Sequence, residues 1–409
     1  MRALIMSVMS SIPLVLFLAG SAPPAFEAPP PEVPFYAASP EAGSRGEVAV
    51  VGSGISIGFD HACRLLEGGA AQCWGANDQG QLGDGTTELR GVPTDVVGGL
   101  SFSALSAGHK RTCGIAGGRI HCWGMEIARV PGQPAGEPSQ EPAPVPGDRT
   151  YTTVAVGNQH ACALDASGAA FCWGRNHAGE LGDSTTDARV EPIEVFGGQR
   201  FTQISAGGDH TCALDGNGRA YCWGSNDFGE LGGEATGMSS APVEVQGDVR
   251  FESIDTGLNR TCGLARDGVV HCWGANGHGA LGDGTDSARV APAPVAGDVH
   301  FSAIEVGNLH TCGLSREGAA YCWGFNGFGE VGDGSTTSRM EPTAVVGEHT
   351  FGAVGAGAYR TCGVTSADEI LCWGRDPSGG IAGAAVIRQM EPTPLVAVEA
   401  EPGGPVSSR

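Results

Sequence analysis

The side chains of this chain best suited to chemistry are its 14 cysteines. They fall into pairs ten residues apart, or nine in the second. The pairs are Cys63 with Cys73, Cys113 with Cys122, Cys162 with Cys172, Cys212 with Cys222, Cys262 with Cys272, Cys312 with Cys322 and Cys362 with Cys372. Thiols so spaced can form a disulfide, hold a metal or lie reduced in a core. His61, His160, His210 and His310 stand two residues ahead of their cysteines, so four repeats offer three zinc-type donors in a row. Arg111, Arg260 and Arg360 take that position in the other three, and a guanidinium does not ligate. Residues two apart on a strand share a face, so the histidines would lie beside the cysteines without any metal. Disulfides are the preferred reading of all seven pairs, each closing a short loop worth about 2–3 kcal/mol. No metal and no cofactor is expected.

Other motifs are weaker. Leu82-Gly-Asp-Gly-Thr86 and Leu281-Gly-Asp-Gly-Thr285 resemble calcium loops only loosely, because the alternating carboxylates and distal Glu are missing. Asp84, Asp183, Asp283 and Asp333 are expected to make turn hydrogen bonds. No phosphate loop, nucleophile elbow or metalloprotease motif occurs. His and Asp recur around the repeats, which points to structure rather than to one catalytic constellation. No catalytic residue is assigned, and the chain reads as a non-enzyme.

The elements that carry these residues repeat. All seven tryptophans lie in Cys-Trp-Gly, at positions 74, 123, 173, 223, 273, 323 and 373. A glycine stands five residues before each first cysteine, from Gly58 to Gly357, and prolines recur in phase from Pro93 to Pro392. In the fourth repeat Phe201–Ser205 predicts strand A, His210–Leu214 strand B and Ala220–Trp223 strand C. After a Gly-rich loop, Pro242–Val245 predicts strand D on an edge, since proline cannot donate to a ladder. Asp215-Gly-Asn-Gly218 marks the B–C hairpin. Four antiparallel strands per repeat, seven times, predict an all-β, seven-bladed β-propeller with four strands per blade. A solenoid is the competing architecture. Val48–Val51 or Pro394–Val398 is a candidate closing strand. The second repeat departs most from the pattern, over Met125–Pro146, and the seventh departs over Asp376–Ala385.

The string Gly-x-x-His-Thr-Cys-Ala-Leu…Gly-x-Ala-Tyr-Cys-Trp-Gly-x-Asn-x-x-Gly-Glu-Leu-Gly-Asp, ending in Pro-x-x-Val, resembles the regulator of chromosome condensation repeat. It runs over Gly207–Gly232 and again over Gly157–Asp183. The resemblance covers residues 48–398 and independently implies a seven-bladed propeller. For function it implies several roles on one scaffold. The namesake is a nuclear guanine nucleotide exchange factor that also binds chromatin. Other members are secreted bacterial protein binders, one of them an inhibitor of β-lactamases.

Antiparallel strands put the A–B turns and C–D loops on one face of the ring, and these are the segments whose residues vary. Aromatic, basic and histidine side chains there are the candidate binding residues: Phe59, His109, Lys110, Arg175, Phe228, Phe325, Phe328 and Tyr359. The net charge is −22, from 23 basic and 45 acidic residues, and Lys110 is the only lysine. So acidic a chain is a poor binder of nucleic acid. Another protein with a cationic surface is the expected partner, and a monomer is the expected state. Arg2, an apolar run to Ala22 and small residues at its end predict a signal peptide over 1–22. A Pro-rich linker over 23–47 and a tail over 399–409 flank the propeller at 48–398. The resulting expectation is a secreted or periplasmic protein with no stable membrane insertion after cleavage, which binds protein without catalysis. The alternatives are a guanine nucleotide exchange factor for a small GTPase, and a propeller hydrolase or lyase.

Overall fold

A computed structural model describes residues 54–126, 138–233, 237–376 and 387–395. All lie in the second of two compact units of the chain, Val33–Arg409. The signal segment, the linker, Val48–Val51 and the tail fall outside the described residues, as do 127–137 and 377–386 of the two irregular loops.

Each repeat folds into one four-stranded antiparallel sheet whose strands follow one another in chain order, and seven such sheets form a β-propeller. In blade 4 the strands are Phe201–Ala206, His210–Asp215, Ala220–Gly224 and Ser239–Glu244. Strands A to C fall within a residue of expectation. Strand D begins three residues early, so Pro242 lies inside it. The outer strand tolerates this because its free edge asks for no donor. The cysteine register sets the rest: Cys212 faces Cys222, Thr211 faces Trp223 and Ala213 faces Tyr221.

All seven cysteine pairs are disulfides within their own hairpins. Cys63 is bonded to Cys73, Cys113 to Cys122, Cys162 to Cys172 and Cys212 to Cys222. Cys262 is bonded to Cys272, Cys312 to Cys322 and Cys362 to Cys372. The paired Cα atoms are 4.0–4.1 Å apart, and no free cysteine remains among the described residues. This is the expected pairing at every position, and it leaves no thiolate to ligate a metal. The small residue after each first cysteine makes room for the aromatic ring that opens strand A. A Cβ on Gly263 would stand 2.4 Å from Phe251. The first repeat carries Arg64 in place of the small residue, its guanidinium bonded to Gln72.

Blades are joined by apolar packing and by three polar devices. Each core cluster spans a seam; Trp223 of blade 4, for example, packs with Cys162, Leu164, Leu181 and Val195 of blade 3. Around the axis the A–B glycines form an inner ring. A Cβ on Gly58 would lie 2.7 Å from the Gly108 carbonyl, and the sequence of contacts returns to its start where Gly357 faces the Gly58 carbonyl. Only glycine allows backbones this close. The C–D loop then hooks onto the next blade. The Glu180 carbonyl of blade 3 accepts hydrogen bonds from Thr211 Oγ1 and Trp223 Nε1 of blade 4, each at 2.9 Å. Finally, His160 Nε2 meets Thr211 Oγ1 at 2.9 Å, and His61, His210 and His310 repeat the bond across their own seams. Because the threonine proton goes to the carbonyl, the histidine must donate. Burial holds His61, His210 and His310 down to about 3 and His160 to about 4, so all four stay neutral.

Among the described residues the ring closes without an exchanged strand. Ile55 and Ile57 of blade 1 pack directly with Cys362, Val364 and Ile370 of blade 7. Pro394 is the last residue of blade 7's own outer strand, Ile387–Pro394, rather than a strand lent to blade 1. Among the described residues, no helix is long and apolar enough to cross a membrane.

Candidate functional site

The A–B turns and C–D loops share one face, and rigid parts hold their backbones there. In four blades the loop is built by one asparagine. Asn176 Oδ1 accepts the Leu181 amide, while its Nδ2 donates to Asp183 and to the Thr185 carbonyl. Asp183 in turn accepts the amide and hydroxyl of Thr185 and the guanidinium of Arg189. Asn77 with Asp84, Asn276 with Asp283 and Asn326 with Asp333 repeat the arrangement. These hydrogen bonds hold all four aspartates below the ordinary carboxylate value despite their partial burial. They are the expected turn bonds. Among the described residues, no group of three or more His, Cys, Asp or Glu side chains is placed to hold a metal.

On this scaffold five of the eight candidate residues form one continuous surface across blades 2, 1, 7 and 6. The His109 ring meets Phe59 edge-on at 4.7 Å, and Phe59 meets Tyr359 at 6.0 Å. Tyr359 contacts Phe328 at 5.5 Å and Phe325 at 6.4 Å. Such edge-to-face pairs add to the area they bury and stiffen the cluster. Phe59, Tyr359, Phe325 and Phe328 are half-buried, while His109 is buried beneath Phe59. The chain of rings extends to His278 of blade 5, 5.0 Å from Phe325.

The other three candidates stand outside these ring contacts. Lys110 borders the cluster and is tied to Asp78, Nζ to Oδ2 at 2.8 Å. Arg175 bridges two loops, bonded to buried Glu180 at 3.2 Å and to Asp209. Phe228 on blade 4 is 46% exposed.

Two arginines complete the surface. Arg375 lies over Tyr359 at 5.8 Å and Arg388 over Phe328 at 5.5 Å. Arg375 opens its loop and was legible as a variable position, whereas Arg388 was missed. Its signal is a slip of phase: Arg189, Arg289 and Arg339 stand sixteen residues after their tryptophans, but Gln389 holds that place in the last repeat. Between blades 7 and 1, Phe59, Asp60, Tyr359, Arg360 and Arg375 line a notch of about 10 Å³, room for one water. Burial raises the Asp60 carboxyl above its ordinary value, against the pull of Arg375 and Lys110. The surface suits a partner lying across it more than a small molecule sunk into it.

Comparison with known proteins agrees with this architecture. The chain is similar in structure to Prp20p from Saccharomyces cerevisiae, with 23% identity over 74% of this chain and 80% of that one, and a TM-score of 0.65. That protein is described by its binding to Gsp1p and histones. Human WBSCR16 is 19% identical over 76% of this chain and 86% of its own, with a TM-score of 0.68. The CRINKLY WD40 ectodomain of the Arabidopsis thaliana receptor kinase ACR4 is 21% identical over 79% and 97%, at 0.53. At such identities the likeness establishes the fold alone. A family model for the RCC1-like domain matches residues 36–358, well over half of the sequence. The chain belongs to the RCC1-like domain family.

Proposed function

We propose that this chain is an exported, non-catalytic propeller that binds another protein through its A–B turn and C–D loop face. One observation carries the reading: the continuous surface of Phe59, Tyr359, Phe325 and Phe328 with Arg375 and Arg388, held on a stiff scaffold. Half-buried aromatic and arginine side chains of this kind dominate binding energy at protein interfaces. Export is supported by the apolar N-terminal run and by seven disulfides, which persist in oxidising compartments. Prp20p and its binding to Gsp1p keep a GTPase regulator as the second reading; a reduced protein in the cytosolic fraction would favour it.

The test is affinity capture from the source organism's envelope and medium with the folded, oxidised protein. A variant carrying Phe325→Ala, Phe328→Ala and Tyr359→Ala serves as control. Partners held by the native protein should be lost from the variant. Equal recovery by both would place the binding face elsewhere.

A further inference from the structure

Blade 7 departs from its siblings at the edge of this surface. In blades 1, 3, 5 and 6 the arginine of the outer strand that faces the Cys-Trp-Gly glycine is neutralised by its own loop. Arg90 reaches Asp84 at 2.7 Å and Arg189 reaches Asp183 at 2.8 Å, while Arg289 and Arg339 bond Asp283 and Asp333. In blade 7 the residue opposite Gly374 is Gln389, and the ladder runs on to pair Arg375 with Arg388. Successive strand residues point to opposite faces. The shift by one therefore takes the arginine off the loop side and sets it against a second arginine.

Two like charges directly opposed across a ladder destabilise it. Little nearby offsets them. Asp60 touches Arg375 only at 4.0 Å and is also close to Lys110. Glu330, under Phe328, is buried and pushed up to about 8, so it is mostly protonated at neutral pH. Among the described side chains Arg388 forms no salt bridge, and Glu330 is the carboxyl that feels its charge. Each guanidinium is instead near an aromatic ring, and the two rings are in contact. A guanidinium over a ring face at these distances is drawn to the ring by its charge and keeps N–H donors for a planar, bidentate acceptor.

We infer that Arg375 and Arg388 clasp a carboxylate of the bound protein: an Asp or Glu side chain beside an apolar one, the apolar group lying on Tyr359, Phe325 and Phe328. This rests on the reading of the loop face as a protein-binding surface. The net charge of −22 repels acidic proteins at long range. The partner is thus neutral or basic elsewhere, with an acidic residue at its point of contact.

The test is selection of a random linear peptide library on the folded, oxidised protein. Recovered peptides should be enriched in Asp or Glu. Their affinity should fall roughly tenfold or more in the double variant Arg375→Gln with Arg388→Gln. Arg388→Glu should abolish their binding while melting no lower than the native protein, because it replaces a repulsive pair by an attractive one. Peptides that need Tyr359 and Phe328 but are neutral or basic, or are indifferent to both arginines, would overturn the clasp and leave the docking face standing. Peptides indifferent to Tyr359→Ala with Phe328→Ala, or no enrichment over that variant, would overturn both.

Discussion

Exchanging His210 and Thr261 for the pair found at two other seams tests the inter-blade wiring directly. His210 Nε2 donates to Thr261 Oγ1 at 3.0 Å, and Thr261 donates to the Glu230 carbonyl at 3.0 Å. Trp273 Nε1 reaches the same carbonyl at 2.8 Å. His210 and Thr261 are both fully buried. Thr261→Ala leaves the imidazole N–H without an acceptor, which costs about 1–3 kcal/mol, plus nearly 1 kcal/mol for the lost methyl. His210→Arg brings a longer, charged group against the threonine at a seam where the Gly257 carbonyl is already taken by the Gly208 amide, and costs a similar amount. The double variant recreates the facing of Arg111 on Ala161 and of Arg360 on Ala62. The Glu230 carbonyl keeps its tryptophan donor. The double variant should therefore recover about 1–2 kcal/mol relative to the sum of the singles.

Acid titration supplies a second readout of the same pair. Burial lowers His210 from 6.5 to about 3 in the folded chain. Between these values the unfolded chain binds the extra proton, so stability falls as pH falls through that window. At pH 5 the loss is about 2 kcal/mol per buried histidine relative to pH 8. Variants with Arg at 210 lack that contribution and should lose about 2 kcal/mol less than the native protein over the same interval. Guanidinium unfolding with the disulfides intact, at pH 8 and pH 5, measures both quantities. Singles that add within about 0.5 kcal/mol, or an unchanged acid loss, would refute the wiring.

Replacing Cys212 and Cys222 together by Ala should cost about 2–3 kcal/mol in denaturant unfolding, the value of one short closed loop. A change within about 0.5 kcal/mol would show that the ladder alone fixes the hairpin. Gly182→Ala should destabilise by about 2 kcal/mol or more, because the new Cβ would stand 2.8 Å from Trp223 Nε1 at a φ of +66°. Gly216→Ala, where a Cβ meets nothing within 4 Å, is its neutral control in thermal melts. Glu305 and Asp255 face each other across blades 5 and 6. Burial raises both, Asp255 to about 7, and repulsion from Asp255 raises Glu305 further. The folded chain thus holds more protons than the unfolded one above the ordinary carboxyl range, and stability drops as pH rises towards 8. Glu305→Gln should raise the melting temperature at pH 8 and change it little at pH 5; equal shifts at both would show that the pair is not coupled.

What the sequence made legible follows from periodicity. Four markers kept in phase seven times leave little freedom in strand order, and one register choice, Cys against Cys, determines every other facing in the hairpin. Strand D was misplaced because its start is set by a bulge opposite Trp223, where the register shifts between Cys222 and Gly224. A proline reads as a boundary only when the bulge is not visible. On the loop face, the sequence named most of the aromatic residues, since variation among repeats exposes them. It could not say that Phe59 and Tyr359 touch, because closure of the ring brings together residues three hundred apart. Arg175 looked equivalent to Arg375, both opening C–D loops. The difference is Asp209, which engages Arg175 from the next turn, where the ring brings Arg375 to the weaker contact with Asp60.

The two irregular repeats share more than a degenerate loop. In blades 2 and 7 the Asn-to-Asp loop string is missing from the sequence. In both cases the next blade has alanine, Ala161 or Ala62, where others have the threonine that grips the loop carbonyl. In both cases the histidine that donates to that threonine is arginine, Arg111 or Arg360. Histidine and threonine thus form a hydrogen-bonded unit, lost together at these two seams, because either left alone there would be a buried polar group without its partner. Blade 5 tests the rule from the other side. Its loop and Thr311 are intact, and Arg260 is tolerated there because it also donates to the carbonyls of Gly307, Asn308 and His310. The seam between blades 7 and 1 is one of the two that dispense with the unit, and the aromatic and arginine surface is built across it. There the ladder of blade 7 runs on past Gly374 and pairs Arg375 with Arg388 at the edge of that surface.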